Sequence, residues 1–128
     1  MIEKQLVIKL GEVTGLSNRV FPLLTKQTQD VPYVVYERLQ TERERGLSGH
    51  VGLVTVYFQL DVVEKSYTNL KTVIANVIAK LKTLQGLTLG GYVIQSLKID
   101  NEYEAVDDDN DQKWYRSTIE LSISYNEV

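Results

Sequence analysis

From Val54 to Val62 apolar and polar residues alternate without a break. Val54, Val56, Phe58, Leu60 and Val62 fall on one side, and Thr55, Tyr57, Gln59 and Asp61 on the other. Successive side chains of a strand point to opposite faces, so Leu53–Val63 reads as a half-buried strand. Strands with one apolar and one polar face belong to antiparallel sheets. Whatever else the chain forms must cover that apolar face.

The cover is legible. Leu70, Val73, Ile74, Val77, Ile78 and Leu81 make a helical stripe, with Leu84 one turn on. Ser66 suits the N-cap, Gly86 follows the end, and Lys80 and Lys82 complement the dipole there. A second, shorter helix is expected at the start, from Ile2, Leu6, Leu10 and Val13, ending near Gly11 or Gly15. Arg19–Leu24, interrupted by Pro22, reads as an edge strand, and Lys26–Asp30 as a polar connection. Pro32–Leu39 reads as a strand, because β-branched and aromatic residues follow a proline placed at its start. Gln40–Gly52 is polar and glycine-bearing, and reads as a long loop. Tyr92–Glu104 and Lys113–Tyr125 complete the set as two strands of a hairpin.

The fold class is therefore α+β. One domain over residues 1–128 carries a mostly antiparallel sheet of about four to five strands. A short N-terminal helix and one long central helix pack on one face of it. A chain of 128 residues suits one core rather than two.

Charge is unevenly placed. The net charge is only −3, which argues against general affinity for nucleic acid. Yet Asp100, Glu102, Glu104, Asp107, Asp108, Asp109 and Asp111 all lie between Lys98 and Lys113, with no base among them. The expectation is a protruding acidic hairpin whose tip is a solvated loop.

Catalytic chemistry has little to work with. There is no cysteine, so disulfides, zinc ribbons and thiol nucleophiles are excluded. The single histidine, His50, sits between glycines with no nucleophile signature, so no catalytic residue is assigned. Asp107, Asp109 and Asp111 match the opening of a calcium loop. Gln112 then stands at its glycine and Thr118 at its bidentate glutamate, so no metal or cofactor is expected. Gly46-Leu47-Ser48-Gly49 has the glycines of an RNA-clamping loop but no base between them. No apolar run approaches the ~20 residues of a membrane span, and the charged N-terminus is not that of a signal peptide.

What remains is surface. Three candidate regions stand out. The first is the alternating charges Glu42, Arg43, Glu44 and Arg45, together with His50. The second is the polar-aromatic sheet face bearing Tyr57, Gln59, Trp114 and Arg116. The third is the acidic tip Asp107, Asp108, Asp109 and Asp111. An alternating-charge segment and a wet aromatic face suit contact with another protein or another copy of the chain.

The order of segments resembles a known family. Arg19-Val20-Phe21-Pro22 precedes Pro32-Tyr33-Val34-Val35-Tyr36, and a glycine loop ends Gly46-Leu47-Ser48-Gly49. Then come a strand ending Gln59-Leu60-Asp61-Val62, a Ser66-Tyr67 turn, the long helix, an acidic turn and Trp114-Tyr115-Arg116-Ser117. This looks like the tail-completion, or tail-to-head joining, family of long-tailed phages, over about Val13–Tyr125. The resemblance implies a structural subunit, not an enzyme, that forms a ring, hexameric in expectation, on the tail tube. Its implied partners are itself, the major tail tube protein and the head connector. DNA would pass through without sequence-specific binding. The implied location is the host cytoplasm during assembly, then the head-proximal end of the virion tail. The rival reading is a non-enzymatic module that captures a peptide at its sheet edge.

Overall fold

The computed structural model describes residues 2–22, 31–46, 49–109 and 112–126. Two helices and six strands follow in the order α1 (Ile2–Leu10), β1 (Val20–Pro22), β2 (Tyr33–Gly46), β3 (Gly49–Glu64), α2 (Tyr67–Lys82), β4 (Thr88–Leu89), β5 (Tyr92–Asp109) and β6 (Gln112–Asn126). The strands form one sheet in the order β1-β2-β3-β6-β5-β4. Only β1 and β2 run parallel; the other neighbours are antiparallel.

The alternation of β3 decides the packing. Val54, Val56, Phe58, Leu60 and Val62 are all 0% exposed. Register places them beside Ile119, Leu121, Ile123 and Tyr125 of β6, which are buried with them. Leu70, Val73, Val77 and Leu81 of α2 close this core from one side, and Ile2, Leu6 and Leu10 of α1 extend it. The Ser66 hydroxyl caps α2 by accepting from the Asn69 amide at 3.4 Å. α1 is tied to the sheet by Arg38, which donates to Glu3 at 2.8 Å. α2 is tied to β5 by the Lys71–Glu104 ion pair and to the turn after α1 by Lys80–Glu12 at 2.6 Å.

Three expectations need correction. The sheet has six strands rather than four to five. β4 is one that a pattern search misses, being two residues long and paired only with Tyr92 and Val93. Gln40–Gly52 is not a long loop. β2 and β3 stay paired through Glu42↔Thr55, Arg43↔Val54 and Arg45↔His50 to a turn at Gly46↔Gly49. Backbone ladder bonds do not require apolar side chains, so a charged segment can stay in the ladder. In retrospect Glu-Arg-Glu-Arg is itself a period of two. Nor is the acidic segment a loop up to its tip, since Asp107↔Trp114, Asp108↔Lys113 and Asp109↔Gln112 continue the β5–β6 ladder. Leu23, Leu24, the Lys26–Asp30 connection and Asp111 lie outside the described residues.

The corrections change the outline of the molecule. β3 pairs with β6 from Leu53↔Asn126 to Glu64↔Tyr115. The β2–β3 ribbon runs past the first of these pairs, and the β5–β6 ribbon runs past the last. Two hairpin tips therefore project from opposite ends of one sheet.

Candidate functional site

The face of the sheet turned away from the helices is polar. Cross-strand register assembles it in rows. Asp61, Thr118 and Tyr103 form one row, and Gln59 and Glu120 the next. Tyr57, Ser122 and Lys98 follow, then Thr55 and Ser124. Thr118 donates to Asp61 at 2.6 Å, and Gln59 donates to the other Asp61 oxygen at 3.3 Å. Thr55 and Ser124 share a hydrogen bond of 2.8 Å. Tyr103 donates to Glu120 at 3.4 Å, and Ser122 reaches Asp100 at 3.5 Å. Glu42 accepts from Gln40 at 2.7 Å and from the Tyr57 hydroxyl at 3.3 Å.

Carboxylates dominate this network. Their charge is felt by the tyrosines among them. Glu42 raises the Tyr57 phenol above its ordinary value of 10. Tyr103 is raised as well, first by partial desolvation and then by the Glu120 charge. Both rings stay neutral donors at physiological pH, holding carboxylates in place. Among the described residues, no three His, Asp or Glu side chains gather as metal ligands would.

The candidate residues are only partly brought together. Tyr57 and Gln59 lie near the middle of the polar face, and Arg116 further along it, opposite Val63. Trp114 is not with them. It lies in the acidic hairpin opposite Asp107, under the Lys65 ammonium at 4.9 Å from the ring centre. Glu42 and Arg43 do not form one charged patch, because adjacent strand residues face opposite ways: Glu42 joins the polar face, while Arg43 pairs with Val54 of the core face. The side chains of Glu44, Arg45, His50, Asp107, Asp108 and Asp109 lie outside the described part of the structure. Alternation already puts Asp61, Thr118 and Glu120 on polar strand faces, but neither Tyr103 nor the bonds that join the four at the centre of the network follow from sequence. Asp61 and Thr118 are separated by 57 residues, so only the register reveals them.

Residues 5–126 match the family described as Tail completion protein gp17. The chain belongs to that family. It is thus a structural protein of the bacteriophage virion and works among other tail and head proteins. Its fold is also that of a chain in the "Virion of native gene transfer agent (GTA) particle". That match has a TM-score of 0.67 and covers 98% of this chain and 91% of that one, at 14% sequence identity. No curated protein matches this tail completion protein.

Proposed function

We propose that this tail completion protein caps the tail tube as a ring, hexameric in expectation, and joins the tail to the head connector while DNA passes through the ring. The observation that carries the reading is the pair of hairpin tips at opposite ends of one sheet, in a chain of the tail completion family. A joint needs two unlike axial ends. One tip carries Glu44, Arg45 and His50; the other carries Asp107, Asp108 and Asp109. Unlike charge patterns suit unlike partners, here the tube protein and the connector protein.

The polar sheet face, with Glu42, Asp61, Asp100 and Glu120, fits the wall of a DNA passage. Fixed negative charge repels phosphate and leaves the genome free to slide. Tyr57 and Gln59 would then contact water and DNA rather than a neighbouring subunit.

The test is to delete the reading frame from its phage or prophage, induce, and image the lysate by negative-stain electron microscopy. Overlong tails, or finished tails beside unattached full heads, are expected, with joining restored by added protein. Normal infectious particles would overturn the reading and leave peptide capture at the sheet edge as the function to pursue.

A further inference from the structure

The outer strands β1 and β4 are only three and two residues long, so the long strands beside them, β2 and β5, are covered only at one end. Among the described residues, β1 pairs with β2 only over Val34–Tyr36, and β4 pairs with β5 only over Tyr92–Val93. Ile94 still exchanges backbone bonds with Gly86 and Leu87, and the Leu97 amide donates to Gln85; among the described residues no strand lies against β2 from Glu37 or against β5 from Lys98. Unpaired strand edges are templates for another strand, and isolated proteins normally blunt them. Here the edges instead carry exposed apolar side chains: Leu39 on β2 (48% exposed), and Tyr103 (46%) and Val106 (54%) on β5.

Register gives the relative heights of the two edges. Arg38 pairs with Phe58, Phe58 with Leu121, and Leu121 with Ile99. Leu39, the extra residue of a bulge between Arg38 and Gln40, therefore stands level with Ile99 and Lys98. A concavity of about 590 Å³ opens at that height beside β5. Ile78 of α2 and Leu97 and Ile99 of β5 supply its apolar lining, and Lys82, Asp100 and Glu102 are among its polar residues. An exposed leucine on one edge thus lies level with a recess on the other whose apolar part is Ile78, Leu97 and Ile99.

The geometry points to a head-to-tail contact between copies of this chain. The open edge of β2 in one copy pairs with the open edge of β5 in the next, and Leu39 seats in the recess between α2 and β5. This rests on the ring reading above and names the surface that closes the ring. Strand direction permits it. Along the sheet β2 and β5 run opposite ways, so copies related by rotation bring them together antiparallel. Charge selects it over a two-fold contact. The β5 edge holds Asp100, Glu102 and Glu104 against Lys98 alone, so two β5 edges repel. The β2 edge is balanced, with Glu37 and Glu42 against Arg38 and Arg43, so it does not repel that acidic partner as a second β5 edge would. Unlike surfaces that pair head to tail close into a ring when the rotation between copies divides a full turn.

The chain has no native cysteine, which makes the test clean. Gln40→Cys and Lys98→Cys are introduced together and singly, and tails assembled in their presence are treated with a short bismaleimide. The double variant is expected to give a ladder of covalent multimers ending at the ring number, and each single variant to stay monomeric. Linked dimers from Lys98→Cys alone, or no ladder in tails that contain the protein, would overturn the edge pairing. A second variant, Leu39→Asp, is expected to melt like the native monomer yet fail to restore joining to the deletion strain, whereas Leu39→Met restores it. Full restoration by Leu39→Asp also defeats the proposal. The two readings fail separately: a deletion strain with normal particles sinks tail completion itself, while a defective deletion strain without the ladder sinks only the edge contact.

Discussion

Phe58 and Gln59 are neighbours in sequence and opposites in environment, and the account makes different demands of them. Phe58 is 0% exposed on the central strand β3, between β2 and β6 and within the core cluster shared with both helices. Truncating a buried phenylalanine to alanine costs about 3–5 kcal/mol, from lost transfer energy and from the cavity left behind. A chain of this length is stable by roughly 6–19 kcal/mol at the usual per-residue values. Phe58→Ala thus removes a large share of stability, and should lower the melting temperature by about 10–20 °C. Gln59 sits on the polar face and makes one long hydrogen bond to Asp61 at 3.3 Å. Gln59→Ala should cost at most about 1 kcal/mol, the worth of one part-exposed hydrogen bond. The assay is urea unfolding of the two variants followed by circular dichroism, with the denaturant slope checked for constancy. If Gln59→Ala were as damaging as Phe58→Ala, or if Phe58→Ala cost under about 1.5 kcal/mol, the division into a core face and a wet face would be refuted.

Ser66→Ala should destabilise by about 0.5–1 kcal/mol, the low end for a cap because its bond to the Asn69 amide is long, and Ser66→Asp should restore it in the same unfolding assay. Gly86 has φ of +85° with nothing near a built Cβ, so Gly86→Ala should cost about 1–2 kcal/mol from backbone strain alone. Glu12 is held below its ordinary value of 4.5, chiefly by its hydrogen bond from Lys80, and Glu104 likewise by Lys71. The native state therefore favours the charged carboxyls, and this stabilisation is present above that value and fades as pH falls through the lowered native pKa values. The Glu12→Gln/Glu104→Gln variant should be less stable than the native chain at neutral pH, with the gap closing in acid. Melting temperatures followed from pH 7 to pH 3 check it.

The legible parts of the fold were those where burial writes a pattern into the sequence. β3 alternates because one of its faces is core, and α2 shows its stripe and its Ser66 cap for the same reason. Ile2, Leu6, Leu10 and Val13 were recognisable at helical steps, and all four are buried. The two ribbon ends were hidden because Glu42, Arg43, Glu44 and Arg45, like Asp107, Asp108 and Asp109, are charged without a break and carry no apolar period. Arg43 pairs with Val54 and Asp108 with Lys113, but neither is itself apolar, so neither announces its ladder. β4 is too short to carry any period. The polar face was half legible, since Thr55, Tyr57, Gln59 and Arg116 follow from alternation. Its bonds were not, because Thr55 and Ser124 lie 69 residues apart and meet only through β3–β6 register. The open edges were beyond a sequence reading altogether, because being an edge depends on the order of strands and not on any residue.

The proposed ring between tail tube and head connector is open to direct observation. Cryo-electron microscopy of tails purified from the induced phage tests it most directly. The account predicts a single ring of this chain at the head-proximal end, with the face bearing Asp61 and Glu120 turned to the channel and β2 of each copy beside β5 of the next. A head-proximal end built without this chain, in tails that still join heads, would contradict it.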